Sequence, residues 1–190
     1  KSLAPIQDKI KVIEHPDYAG EALAMRVDAP PFDNQKVRLA LNLAVDRAAI
    51  SKQIYGGHAD FPHLPMDETW EGYFTPPEKM PNEAREVLQY DPAKAKKLLA
   101  EAGLANGFEF KAQVPSFPEQ LKKAQIVAGY LSAIGVKMTI EPKEYGAFLS
   151  LMTTGKHGPG YWHFAGMSNP TASIEKLYRS YSVWNSARVN

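Results

Sequence analysis

The chain contains no cysteine, which excludes disulfides, thiolate zinc sites and cysteine nucleophiles. It has no apolar run approaching the roughly 18 residues needed to span a bilayer. It has no excess of charge of either sign: 22 Lys and Arg stand against 21 Asp and Glu, for a net charge of +1. A global electrostatic attraction to nucleic acid or to an anionic membrane therefore has no source here. Nucleophile elbows (G-x-S-x-G), zinc-protease motifs (H-E-x-x-H) and phosphate loops are also missing, as are internal repeats and low-complexity tracts.

What remains is an ordinary globular composition, 44% hydrophobic and 23% charged over 190 residues. A chain of this size buries roughly 70% of the surface its unfolded form exposes, enough for one sizeable core. The first third alternates polar and apolar residues at Lys9–Ile13 and more loosely at Ala22–Val27, the period of half-buried strands. Pro30-Pro31 stops the second of these, because proline cannot donate to a ladder. Asp33 is then a candidate N-cap for a long helix, with Val37, Leu41, Ala44, Val45, Ala48 and Ile54 on one face and Gly56-Gly57 at its end. A proline- and aromatic-rich irregular stretch follows, from His58 to Tyr90. A loop of that length in a compact domain is expected to wrap a surface or serve a site.

The second half is more regular. Asp91 and Pro92 begin a helix that Gly103 ends. Phe108–Val114 alternates as a strand, and Ser116 with Glu119 has capping-box spacing for the next helix. Val136–Ile140 is a second strand, Tyr145–Met152 a helix face closing at Gly155, Tyr161–Ala165 a third strand and Pro170–Tyr178 a last helix. Strand–helix–strand–helix–strand order predicts right-handed crossovers and a parallel or mixed sheet flanked by helices, an α/β fold spanning residues 1–190 as one unit. The tail SYSVWNSARVN carries no completed element, and we expect the chain to be cut from something longer.

Few residues offer chemistry. His58, Asp60 and His63, near Asp67 and Glu68, could ligate a metal, but H-x-D-x-x-H in an irregular loop is no known ligand pattern, and no metal or other cofactor is expected. His157 and His163 flank Gly158-Pro159-Gly160 without a partnered nucleophile in view, so no catalytic residues are assigned and the chain is not expected to be an enzyme. Aromatic surface comes from Trp70, Tyr73, Phe74, Trp162 and Phe164. Such side chains commonly line ligand clefts. Phe164 suits the core. Trp162, beside the Ser168-Asn169-Pro170 turn, suits a cleft wall, as do Trp70 and Tyr73 in the long loop. Asn before Pro is also a favoured helix start, so Asn169 has a structural use as well.

Two stretches together carry a resemblance. ALAMRVDAPPFDNQKVRLALNLAVDRAAI (Ala22–Ile50), with its Asp46-Arg47 pair, is followed by YDPAKAKKLLAEAG (Tyr90–Gly103) and a strand. In this order they resemble the second lobe of the family 5 extracellular solute-binding proteins, the dipeptide and oligopeptide class that serves ABC importers. The resemblance covers about Ala22 to Leu177. It implies one lobe of a two-lobed periplasmic binding protein (class II-like), with the first lobe and a C-terminal return segment missing. It also implies solute capture between the lobes, delivery to an ABC permease, and a location in the periplasm or at the outer face of the cytoplasmic membrane, with a lipid anchor left open.

In that family the Asp-Arg pair is a structural hallmark, read here as a helix-surface or interlobe ion pair. An Asp-Pro occupies the place of Asn169-Pro170 and pairs with a peptide's amino group. Some dipeptide binders carry an arginine near Val114-Pro115-Ser116 for the ligand carboxylate, and none lies between Gln113 and Glu119 here. The candidate ligand-binding residues are Asn169, Trp162, Ser168, Tyr73 and Trp70. The expected ligand is a peptide or peptide-like solute. The alternatives are an oligosaccharide, opine or metal chelate, or a stand-alone interaction domain or enzyme.

Overall fold

The alternation in Phe108–Val114 places apolar side chains on one face of an extended chain. The computed structural model forms a strand there, β2 (Phe108–Pro115), with Phe110, Ala112 and Val114 buried. The structure describes residues 9–11, 19–59, 72–166, 170–179, 182 and 185. β3 (Val136–Lys143) pairs parallel with β2, from Phe108 opposite Val136 to Pro115 opposite Lys143. β4 (Gly160–Gly166) lies parallel on the other side of β2, and β1 (Ala19–Met25) runs antiparallel to β4. The sheet order is β1-β4-β2-β3.

Two crossovers build this order. α5 (Pro118–Ala133) carries the chain from β2 outward to β3, and α6 (Tyr145–Thr154) carries it back past β2 to β4. Right-handed crossovers in opposite directions put their helices on opposite faces of a sheet. The packing agrees. Ala124 and Leu131 of α5 join Phe110, Ala112, Val114, Val136 and Met138 in the main core. Phe148 and Met152 of α6 pack with Tyr161 in a separate cluster. Successive β4 residues therefore serve different layers, with Tyr161 under α6 and Trp162 in the main core.

α1 (Gln35–Leu43) and α4 (Pro92–Glu101) extend the main core through Val37, Ala40, Leu41, Leu43, Ala95 and Leu99. Phe32, fully buried, sits edge-on to Phe110 at 5.1 Å between ring centroids. The Asp91 N–H donates to the Leu43 carbonyl at 2.9 Å, tying the start of α4 to the end of α1. Asp91 also caps α4 through its carboxylate, with Pro92 in the first turn, as the sequence suggests. Just before it, within the irregular stretch, a short helix α3 (Asn82–Glu86) ends in Glu86, which pairs with Lys94 of α4 at 2.5 Å.

Three local expectations are corrected. The long helix from Asp33 is two helices, α1 and α2 (Arg47–Tyr55), and the first N-cap is Asn34. The break falls at Asp46, whose backbone is extended and whose carboxylate accepts the Ala49 N–H at 2.8 Å. A short acidic side chain competes for backbone donors and favours a helix start over a helix interior. The apolar face continues across the break through Ala44 and Ile50, so periodicity alone hides it. The Ser116–Glu119 capping box does not form. Pro118 occupies the first turn of α5, which puts Phe117 at the N-cap with no side-chain cap. The Ser116 N–H instead donates to the Lys143 carbonyl at 2.8 Å, lengthening the β2–β3 ladder. Of the strand expected at Lys9–Ile13, only Lys9–Lys11 are described, and they are not extended into a ladder.

Candidate functional site

β2, β3 and β4 run parallel, so their carboxyl ends reach one edge of the sheet. In open α/β sheets ligands bind outside such ends. Pro115 lies opposite Lys143, and two residues beyond each stand Phe117 and Tyr145. Their rings are 5.3 Å apart at an interplanar angle of 45°. Both are exposed, at 43% and 42%. Next to Tyr145, Glu144 caps α6 by accepting the Ala147 N–H at 3.1 Å. Backbone N–H groups of Gly146 and Ala147 hold its carboxyl below the usual carboxylate range.

Beneath this edge, on the α5 side, lies a charged network that crosses the sheet. Lys123 of α5, only 6% exposed, donates to Glu21 of β1 at 2.8 Å and to Glu119 at 2.6 Å. Its ammonium also stands 5.3 Å from the centre of the Tyr55 ring. Burial pulls the Lys123 pKa down, but the bonds from Glu119, Glu21 and Tyr55 outweigh it and hold the ammonium well above the usual lysine range. The same ion pair holds Glu119 below its ordinary value. Glu21 accepts in addition from the Trp162 indole Nε1 at 2.9 Å. A buried lysine without such partners would be strongly destabilising. Here it fastens the first turns of α5 to the far strand of the sheet.

The sequence-derived candidates fare differently. Trp162 is 4% exposed and lies in the main core, its one polar atom bonded to Glu21. It is therefore not the cleft wall that its place beside the Asn169 turn suggests. Tyr73 is 64% exposed. Ser168, Asn169 and Trp70 lie outside the described residues, and α7 (Pro170–Tyr178) begins directly after Asn169. Among the described residues, no bond or ring contact links Tyr73 with Trp162. Sequence reasoning misses Phe117, Tyr145 and Lys123 as site residues. Only Phe117 leaves a local signal, an aromatic directly before a helix-starting proline. The Lys123–Glu21 pair joins residues that are remote in sequence, which no local pattern could show.

Asp46 and Arg47 do not act as a mutual ion pair. Asp46 caps α2, while the Arg47 guanidinium bonds the Asn42 side-chain oxygen, and the Asn42 amide donates to the Val87 carbonyl. Burial lowers the Arg47 pKa. His157 precedes β4 and His163 lies in its middle, with ring centroids 4.5 and 6.1 Å from Tyr161. Burial, with His157 nearby, lowers the His163 pKa. Asp60, His63, Asp67 and Glu68 lie outside the described residues. Among those described, no group of three or more His, Cys, Asp or Glu could hold a metal ion, and no helix is long and apolar enough to cross a membrane.

The described residues thus form an α/β unit, a mixed sheet with helices on both faces and the ends of its parallel strands at one edge. The chain belongs to the bacterial extracellular solute-binding proteins, family 5, whose middle-region profile matches residues 2–185. It is 31% identical to heme-binding protein A of Haemophilus influenzae over 96% of this chain and 33% of that protein. It is 33% identical to the dipeptide-binding protein of Escherichia coli over 80% of this chain and 28% of that protein. Among solved structures, the periplasmic binding protein DppA of Helicobacter pylori, in complex with the peptide STSA, superposes with a TM-score of 0.78 at 26% identity, over 91% of this chain and 33% of that one. HbpA2 of Haemophilus parasuis matches in fold, with a TM-score of 0.81 at 24% identity, over 98% of this chain and 37% of that one. The chain thus spans about a third of the length of the relatives it matches.

Proposed function

We propose that residues 1–190 are one lobe of a two-lobed receptor that captures a peptide or peptide-like solute and delivers it to an ABC permease. The reading places the receptor outside the cytoplasmic membrane, free or held by a lipid anchor, and gives it binding without turnover. The observation that carries it is family membership joined to an edge where the carboxyl ends of three parallel strands meet. Relatives named for dipeptides, and a solved relative holding a peptide, support the solute class.

In this reading Ser168 and Asn169, which follow β4, contact the solute, and Trp70 and Tyr73 approach it from the long loop. Trp162 is buried and bonded to Glu21, so it does not itself face the solute. The departures at Asn169 and at Gln113–Glu119 favour a solute that is not held by charge at both ends. A charge-assisted bond is roughly twice as strong as a neutral one.

Closure of a two-lobed clamp is driven only by contacts that differ between its open and closed states. A single lobe supplies half of those contacts. The 190-residue piece is therefore expected to fold and to bind peptides at least tenfold more weakly than the full-length protein. Titration calorimetry of both with a peptide recovered from the full-length protein by native mass spectrometry tests this. Equal micromolar affinity for the piece would remove the two-lobed mechanism.

A further inference from the structure

We infer that Phe117 and Tyr145 form an aromatic ledge at the mouth of the cleft, which selects peptide solutes by a bulky apolar or ring-bearing side group. The inference rests on the peptide-capture reading and names the feature of the solute that this edge reads. Three observations carry it. First, each ring lies two residues past the carboxyl end of a parallel strand, β2 for Phe117 and β3 for Tyr145, where α/β sheets place their ligands. Second, the rings are paired at 5.3 Å and yet both are more than two-fifths exposed. The pair is already oriented, so a third ring or an aliphatic side chain can pack against it with little ordering cost.

Third, the helix start here breaks a local rule that four other described helices keep. Asn34, Asp46, Asp91 and Glu144 each cap their helix with a side-chain oxygen. Phe117 occupies the same position on α5, which has the most residues of any helix here, with N-cap dihedrals (φ −78°, ψ 134°) and no side-chain cap. The backbone is already shaped for Ser, Thr, Asp or Asn, and an aromatic stands there instead. Places where a sequence breaks a local rule are where functional sites are expected, and the contact with Tyr145 still leaves more than two-fifths of Phe117 open. The neighbouring charges do not offer an anion site in place of the ledge. Lys143 lies 3.8 Å from Glu141, and Glu144 is committed to capping α6. The occupant is the solute, because in relatives this lobe is about a third of a longer solute-binding protein and this edge is where its strands end.

The test uses the full-length protein and the matched peptides Ala-Ala with Ala-Phe, and Ala-Ala-Ala with Ala-Phe-Ala, titrated by calorimetry. Wild type is expected to prefer the Phe-containing member of at least one pair by tenfold or more. The double variant Phe117→Ala/Tyr145→Ala should reduce that preference to about twofold or less, through a larger loss of affinity for the Phe-containing member than for its alanine partner. The single variant Phe117→Asn should likewise lose the preference while raising Tm, because it supplies the missing cap. That opposite movement separates a ledge from a structural pair. Equal loss for both members of a pair would show that the rings meet the other lobe rather than the solute, and would overturn the proposal. So would an undiminished preference, or a fall in Tm for Phe117→Asn. If wild type binds none of the four peptides, either free or N-acetylated and C-amidated, the peptide reading fails, and the ledge proposal with it.

Discussion

The two ends of this sheet are built to opposite specifications. At the amino end the backbones of Gly107 and Gly135 approach so closely that a Cβ on Gly107 would fall 1.8 Å from the Gly135 carbonyl oxygen. Further along the sheet Gly160, opposite Ala112, lies against the Phe110 ring, and His157 is buried against Tyr161. At the carboxyl end two aromatic rings stand in solvent, one helix starts without a side-chain cap, and a lysine is held beneath by two carboxylates. In the proposed reading, the difference separates the end that holds the sheet together from the end that meets the solute. Close-packed backbone leaves no room for a ligand, whereas a pair of exposed rings at strand ends leaves apolar surface open to one.

Substitution at the closed end should have the largest effect. Gly107→Ala meets both a positive φ of 76° and a backbone clash, and we expect it to cost about 3 kcal/mol or more. Urea denaturation of the variant measures it. A cost below about 1 kcal/mol would mean that the β2–β3 start can open without penalty, and the contrast between the ends would lose its basis.

Lys123→Met comes next. It leaves Glu21 and Glu119 facing each other across a lost cation, but Glu119 is largely solvent-exposed and Glu21 partly so. A loss of about 2 kcal/mol is expected, below the roughly 3–5 kcal/mol of a fully buried pair. Because the folded pKa of Lys123 is raised, its contribution is fully present below the usual lysine pKa and is lost only as pH rises through the folded value. The wild-type and variant stability curves should therefore run parallel at neutral pH and converge in strong alkali. A difference that already shrinks between about pH 7 and 9 would contradict the assigned ion pairs.

The smallest effect is on the acid side. Glu119 is held below its ordinary value by Lys123, and Glu141 by Lys111. Their contribution is present above the ordinary carboxylate pKa of about 4.5 and is lost as pH falls through the lowered folded values. Glu119 is exposed and Glu141 partly so, so the decline should be shallow, well under about 1 kcal/mol for each. Chemical denaturation between about pH 6 and 3 would show it, and the Glu119 part should be absent in Lys123→Met.

The sequence made β2 and β3 legible because each buries one face and alternates strictly. It made α4 legible because Asp91-Pro92 is an unambiguous start. It misplaced the α1–α2 break because the buried stripe runs across Asp46, and only the cap geometry reveals the interruption. Trp162 reads as a cleft residue because it lies near the Asn169 turn, but strand alternation turns it toward α5, and Glu21 holds it there. The ledge is not legible at all, because Phe117 and Tyr145 meet only when two strands pair in register.

From the sequence alone came the class of fold, the strand and helix order and the family resemblance, all of which rest on local periodicity, caps and motif order. Only tertiary structure decided which strand ends share an edge, which side of the sheet each aromatic serves, and that Lys123 and Glu21 are partners. Those are matters of register and crossover direction, where one residue of slip would turn every side chain to the other face.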